Sequence, residues 1–165
     1  MSTHLKEKVE KIEQILTQLT EESAKGKLIV VEGKKDAQAL QELGVKGAIV
    51  TVKTGGKSFL EATVEIEALG AGEVILFLDF DRRGREGTKR LQESLERGKI
   101  EVNVNFWREL RGLVGREIQC IESLTSYLRN LKERTVNHRK RAIAKQRHEQ
   151  SANNEKLKKA SFFPN

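Results

Sequence analysis

Apolar positions in this chain follow two rhythms, and the change comes near Gly26. Over residues 3–24, Leu5, Val9, Ile12, Leu16 and Leu19 recur at alternating steps of four and three, with Glu and Lys between them. That spacing predicts an amphipathic helix with a narrow apolar seam. The seam suits packing onto the rest of the domain, or pairing with a second copy as a homodimer. After Gly26, short apolar runs alternate with helical patterns. Leu28–Val31, Ala48–Val52, Glu73–Leu78 and Ile100–Val104 predict four strands; Lys35–Leu43, Ser58–Leu69 and Gly87–Arg97 predict helices, each stopped by a glycine. Such alternation implies an α/β domain, a parallel four-stranded sheet flanked by helices with right-handed crossovers. Two more helices are expected at Phe106–Val114 and Arg116–Leu131. Beyond Lys132 the apolar periodicity thins. The chain therefore divides into an N-terminal helix (1–25), an α/β domain with trailing helices (26–131) and a tail (132–165) that is disordered or helical.

Two of the predicted strands end in carboxylate. Leu28–Val31 runs into Glu32-Gly33, and Val74–Leu78 runs into Asp79-Phe80-Asp81. Ligands of open parallel sheets bind outside the carboxyl ends of the strands. Asp79 and Asp81, two apart on an extended backbone, would point to one side, with Phe80 turned into packing. Carboxylates held so close repel unless a cation lies between them. With no His or Cys adjacent, an all-oxygen ligand set favours Mg²⁺ or Mn²⁺, as one or two ions. The competing reading makes each acid a helix cap or the partner of a nearby arginine. Asp36 is read as a helix cap or as support for the cluster. Lys34, Lys35, Arg82, Arg83 and Arg85 crowd the same rim and suit phosphate oxygens. Gly33 and Gly84 would let the backbone approach a ligand closely.

Charge changes the picture only at the end of the chain. Residues 132–165 hold ten Lys/Arg against three acids, whereas residues 1–131 carry 21 of each sign. The whole excess of +7 therefore sits in the tail. Arg139-Lys140-Arg141 is its densest run, and a phosphate-tracking segment or a solubilising tail would explain it. A single cysteine excludes an internal disulfide. No run approaches the ~18 apolar residues of a membrane span, and a cytoplasmic protein is expected.

Glu32-Gly-x-x-Asp36, a later apolar strand and Asp79-x-Asp81-x-x-Gly84 together resemble the Toprim signature. That family is shared by type IA and II topoisomerases, bacterial DnaG-type primases, OLD-type nucleases and a ribosomal-RNA-maturing ribonuclease. The resemblance covers about residues 26–115, and the whole chain is most similar to small stand-alone archaeal Toprim proteins. It implies a Rossmann-like Toprim fold in which Asp79 and Asp81 hold Mg²⁺, with Glu32 as general acid/base or metal ligand. It implies a nucleic-acid partner, RNA or DNA, and phosphodiester hydrolysis as the reaction. The alternative is a non-catalytic adaptor within a larger complex for replication, repair or RNA processing. A topoisomerase would need a nucleophilic tyrosine on a separate domain; this chain offers Tyr127, on the apolar side of a predicted helix. Gly55-Gly56-Lys57-Ser58 lacks the upstream glycine of a P-loop and reads as a turn in which Lys57 could touch phosphate.

Overall fold

The four apolar runs pair as one parallel sheet in the computed structural model, which describes residues 2–53, 56 and 58–160. The strands are β1 (Leu28–Val31), β2 (Ile49–Thr51), β3 (Glu73–Leu76) and β4 (Glu101–Asn103), in the order β2-β1-β3-β4. The helices are α1 (Ser2–Ala24), α2 (Lys34–Glu42), α3 (Phe59–Ala68), α4 (Arg82–Arg97), α5 (Asn105–Val114) and α6 (Leu124–Ala160). The alternating residues of β1 and β3 serve two cores. Ile29, Val31, Ile75 and Phe77 face the layer containing α1, α2, α5 and α6, while Leu28, Val30, Val74, Leu76 and Leu78 face α3 and α4. Helices on both faces explain why β1, and β3 after its first residue Glu73, are continuously apolar.

The seam of α1 is used within the chain. Val9, Ile12, Leu16 and Leu19 are buried in the core shared with α5 and α6. Packing onto the domain is thus what the seam does, and a homodimer through it would have to unpack that core.

The strands are each shorter than expected or equal in length, and two helix starts differ more. The helix expected from Gly87 begins five residues earlier, at Arg82, because Asp81 accepts the Gly84 amide at 2.7 Å and caps it. The helix expected from Arg116 begins instead as a 3-10 turn at Ile121–Ser123 and becomes α6 at Leu124. Its apolar phase is nevertheless as expected, since Ile118, Ile121, Leu124, Leu128 and Leu131 are all buried. The tail is helical. α6 runs unbroken to Ala160, because no Gly or Pro interrupts residues 116–160 and Lys, Arg, Glu, Gln and Ala dominate them. After Leu131 almost every residue is exposed, so α6 forms an arm about 40 Å long. Among the described residues, no helix is long and apolar enough to cross a membrane.

Candidate metal centre

The site is built where three strands end. The Lys53 amide donates to the Glu32 carbonyl at 3.0 Å, extending the β1–β2 ladder by one step. That pairing carries the Lys53 ammonium to the Glu32 carboxylate, 3.1 Å away. Glu32 is only 8% exposed. On the other side of β1, the chain leaving β3 loses its alternation. Phe77 packs on the α1 side and Leu78 on the α4 side, but Phe80 returns to the α1 side where strict alternation would send it across. The Leu78 carbonyl accepts the indole N–H of the buried Trp107 at 2.8 Å. Asp79 and Asp81 are therefore not presented as a strand would present them.

Glu32 and Asp79 meet as expected, and their third neighbour is Asp36. One carboxylate oxygen from each of the three lies within 4.8 Å of the others. Asp36 reaches the group from the third residue of α2. One of its oxygens accepts the Gly33 amide at 3.1 Å, the reciprocal half of a capping box, and the other accepts the Glu122 amide at 3.0 Å. It is both cap and cluster member. Asp79 likewise accepts the Ile121 amide at 3.1 Å. Two of the acids thus hold the first amides of the turn that starts α6, and they explain why the helix starts there.

Asp81 is not a member of this trio; its Oδ1 sits on the Gly84 amide, half-buried at the start of α4. The period-two argument for it fails because β3 stops at Leu76 and the helix begins at Arg82. Sequence reasoning favours a capping role for Asp36; the signal that places it here is its position four residues after Glu32, with Gly33 as the helix N-cap. Nothing local in the sequence singles out Lys53.

Electrostatics mark the cluster as unfinished. Burial first, then a side-chain hydrogen bond with Glu32, push the Asp79 carboxyl up to about 8, against the opposing Ile121 amide. Burial also raises Asp36, although the Gly33 and Glu122 amides pull the other way. Three oxygen donors brought together at such a cost, with no nitrogen or sulfur ligand among them, fit a hard divalent cation.

The expected cations are scattered around this rim. Lys34 and Lys35 are exposed on the first turn of α2; Arg82 pairs with Glu86 at 3.1 Å; Arg83 is exposed. Arg85 points to a separate cavity beside Phe80. Arg139, Lys140 and Arg141 lie on the exposed arm of α6. Lys57 lies outside the described residues, and its neighbour Ser58 caps α3 by accepting the Glu61 amide at 3.2 Å. Gly84 makes its close approach to protein: a Cβ there would overlap the Asp79 carbonyl oxygen. At Gly33 a Cβ would meet only Asp36, at an ordinary 3.8 Å. Tyr127 is tied to Glu117 and lies under Lys8, 5.5 Å from the ring centroid.

Comparison with known proteins agrees with this architecture. A family model of the Toprim domain matches residues 27–107. A UPF0292 protein of Methanosarcina acetivorans is 33% identical over 79% of this chain and 88% of its own length. One from Methanocaldococcus jannaschii is 39% identical over 72% of this chain and 91% of its own. A solved structure of an Aquifex aeolicus protein superposes with a TM-score of 0.56 at 25% identity, covering 67% of this chain and 94% of that one.

Proposed function

Since the chain belongs to the UPF0292 family of small archaeal proteins and carries a Toprim domain, we propose that it is a divalent-metal-dependent hydrolase of nucleic-acid phosphodiesters. The family and the acidic trio imply the coarser role, metal-binding and associated with nucleic acid. Hydrolysis is the finer reading, and the observation that carries it is the convergence of Glu32, Asp36 and Asp79 within 4.8 Å at the strand ends.

Glu32, Asp36 and Asp79 would hold the ion, Mg²⁺ or Mn²⁺, with Asp81 beside them as a further carboxylate. A bound ion there supplies Lewis-acid stabilisation of the phosphoryl oxygens and a more acidic water. The chain's own groups do the rest. Lys53 holds Glu32 in place through their ion pair, and the turn that begins α6 fixes Asp36 and Asp79 through its amides. Glu32 and Asp79 share a hydrogen bond, so a proton can rest between them at neutral pH. Lys34, Lys35 and Arg83, exposed around the rim, can draw in a phosphate backbone.

The test is cleavage of end-labelled RNA and DNA in Mg²⁺ or Mn²⁺. Asp79→Asn should lower turnover by about 100-fold or more while leaving substrate binding intact. Asp81→Asn should lower it less and leave the fold unchanged, because Asn caps a helix about as well as Asp. Tight binding with no cleavage of any substrate, in wild type and variants alike, would replace the hydrolase with the adaptor reading.

A further inference from the structure

Phe80, the residue that follows Asp79, lines a cavity of about 530 Å³ whose charged lining is all of one sign. Four guanidinium groups border it: Arg85 from α4, Arg108 and Arg111 from α5, and Arg116 just after α5. No carboxylate lines it. Among the described residues, none of the four arginines is in an ion pair, whereas Arg82 on the same helix as Arg85 is held by Glu86. Four unneutralised cations around one cavity repel each other, and the arrangement is stable only because each faces water or an anion.

The cavity and the acid cluster share a wall. The Phe80 amide donates to the Gln119 carbonyl at 2.7 Å, and two residues on, the Ile121 amide donates to Asp79. Phe80 and Gln119 line the arginine side; Asp79 is on the acid side. One arginine is preset. The guanidinium of the half-buried Arg111 stacks over Trp107, 5.5 Å from the ring centroid, which reduces the entropy lost when it grips a ligand. Gly112 and Gly115 line the cavity without side chains, and a Cβ at Gly112 would meet nothing within 4 Å.

We infer that this cavity receives the terminal phosphate of a nucleic-acid strand whose adjoining backbone lies against the carboxylates. An internal phosphodiester carries a single negative charge and is served by cations spread along a groove. A phosphate monoester carries about −1.5 to −2 at pH 7 and presents three acceptor oxygens, a better match for four converging forks. The volume is within the range of small-molecule pockets, which admits the terminal phosphate together with the sugar attached to it. The inference borrows the strand from the nucleic-acid reading above; the phosphate recognition stands on the arginines.

The experiment is fluorescence anisotropy of the full chain in EDTA, where no cleavage can occur. The probes are one short single-stranded oligonucleotide with a 5′-phosphate, with a 3′-phosphate, or with hydroxyls at both ends. Binding should be tighter by about tenfold for one of the two phosphorylated forms, the size expected of charge-assisted bonds. Arg108→Gln combined with Arg116→Gln, both exposed in the folded chain, should abolish that preference without lowering the melting temperature. Inorganic phosphate should compete for the phosphorylated probe more strongly than for the hydroxyl one. Equal affinity for all three probes would overturn the inference, as would a preference that survives the double substitution. A terminal-phosphate preference in a chain that cleaves nothing would keep this inference and remove the hydrolase; cleavage without end preference would do the reverse.

Discussion

The two charged sites joined through Asp79 and Phe80 are built on opposite terms. The carboxylates are mounted at strand ends and on the first turn of α2, mostly buried, and each of the three is tied to a backbone amide or to Lys53. Three of the four arginines stand on helices and the fourth follows α5 in a turn; three of the four are exposed, with no carboxylate among the lining residues. Buried like charges cost stability and are tolerated where something binds between them. Exposed like charges cost little and tune which ligand approaches. Under the proposed function, the difference is a division of labour in which the buried, tied site would do chemistry and the exposed one would select.

The comparison breaks most severely if the shared platform is disturbed. Gly84→Ala would drive a Cβ into the Asp79 carbonyl, a backbone atom that cannot turn aside. Urea denaturation should show a loss of about 3 kcal/mol or more. A near-neutral effect would mean that α4 can shift relative to the end of β3.

Proton linkage sharpens the contrast next. The folded chain holds the Asp79 proton up to about 8, well above the ordinary carboxylate value of the unfolded chain. Between those values the folded state binds more protons than the unfolded one, so stability falls as pH rises through that window. In EDTA the melting temperature should drop on going from mildly acidic pH toward 8, apart from other titrations, and Asp79→Asn should flatten that slope. Added Mn²⁺ should recover most at the alkaline end, where the carboxylates are free of protons. The same slope in wild type and Asp79→Asn would contradict the burial of that charge.

The smallest effect on the fold concerns the arm. Truncation after Leu131 removes almost only exposed residues of α6 and one surface ion pair, Lys132 with Glu13, so the melting temperature should change little. Nucleic-acid binding should weaken, and its salt dependence should flatten by up to roughly 0.9 log unit for every phosphate that the arm had neutralised. An unchanged salt slope would make the arm a solubilising extension.

Strand and helix alternation was legible because burial on both faces leaves β1, and β3 after Glu73, no polar positions, so the runs stand out against the charged helices. Glu32 and Asp79 were legible for the same reason, as the first charges after such runs. The placing of Asp81 was not legible, because a period-two argument presumes extended backbone, and β3 ends five residues before it. Asp36 was visible as a cap but its second bond, to the Glu122 amide, joins residues 86 apart in sequence. No local pattern reports that distance. The arginine cavity was hidden likewise, since Arg85 and Arg116 lie on separate elements that only the folded chain brings together.

The most direct measurement is the anomalous density of a crystal soaked in Mn²⁺. An ion bonded to oxygens of Glu32, Asp36 and Asp79 is expected, with occupancy lost in Asp79→Asn. Saturating Mn²⁺ that leaves this trio without an ion, its carboxylates still bridged by a proton, would contradict this expectation.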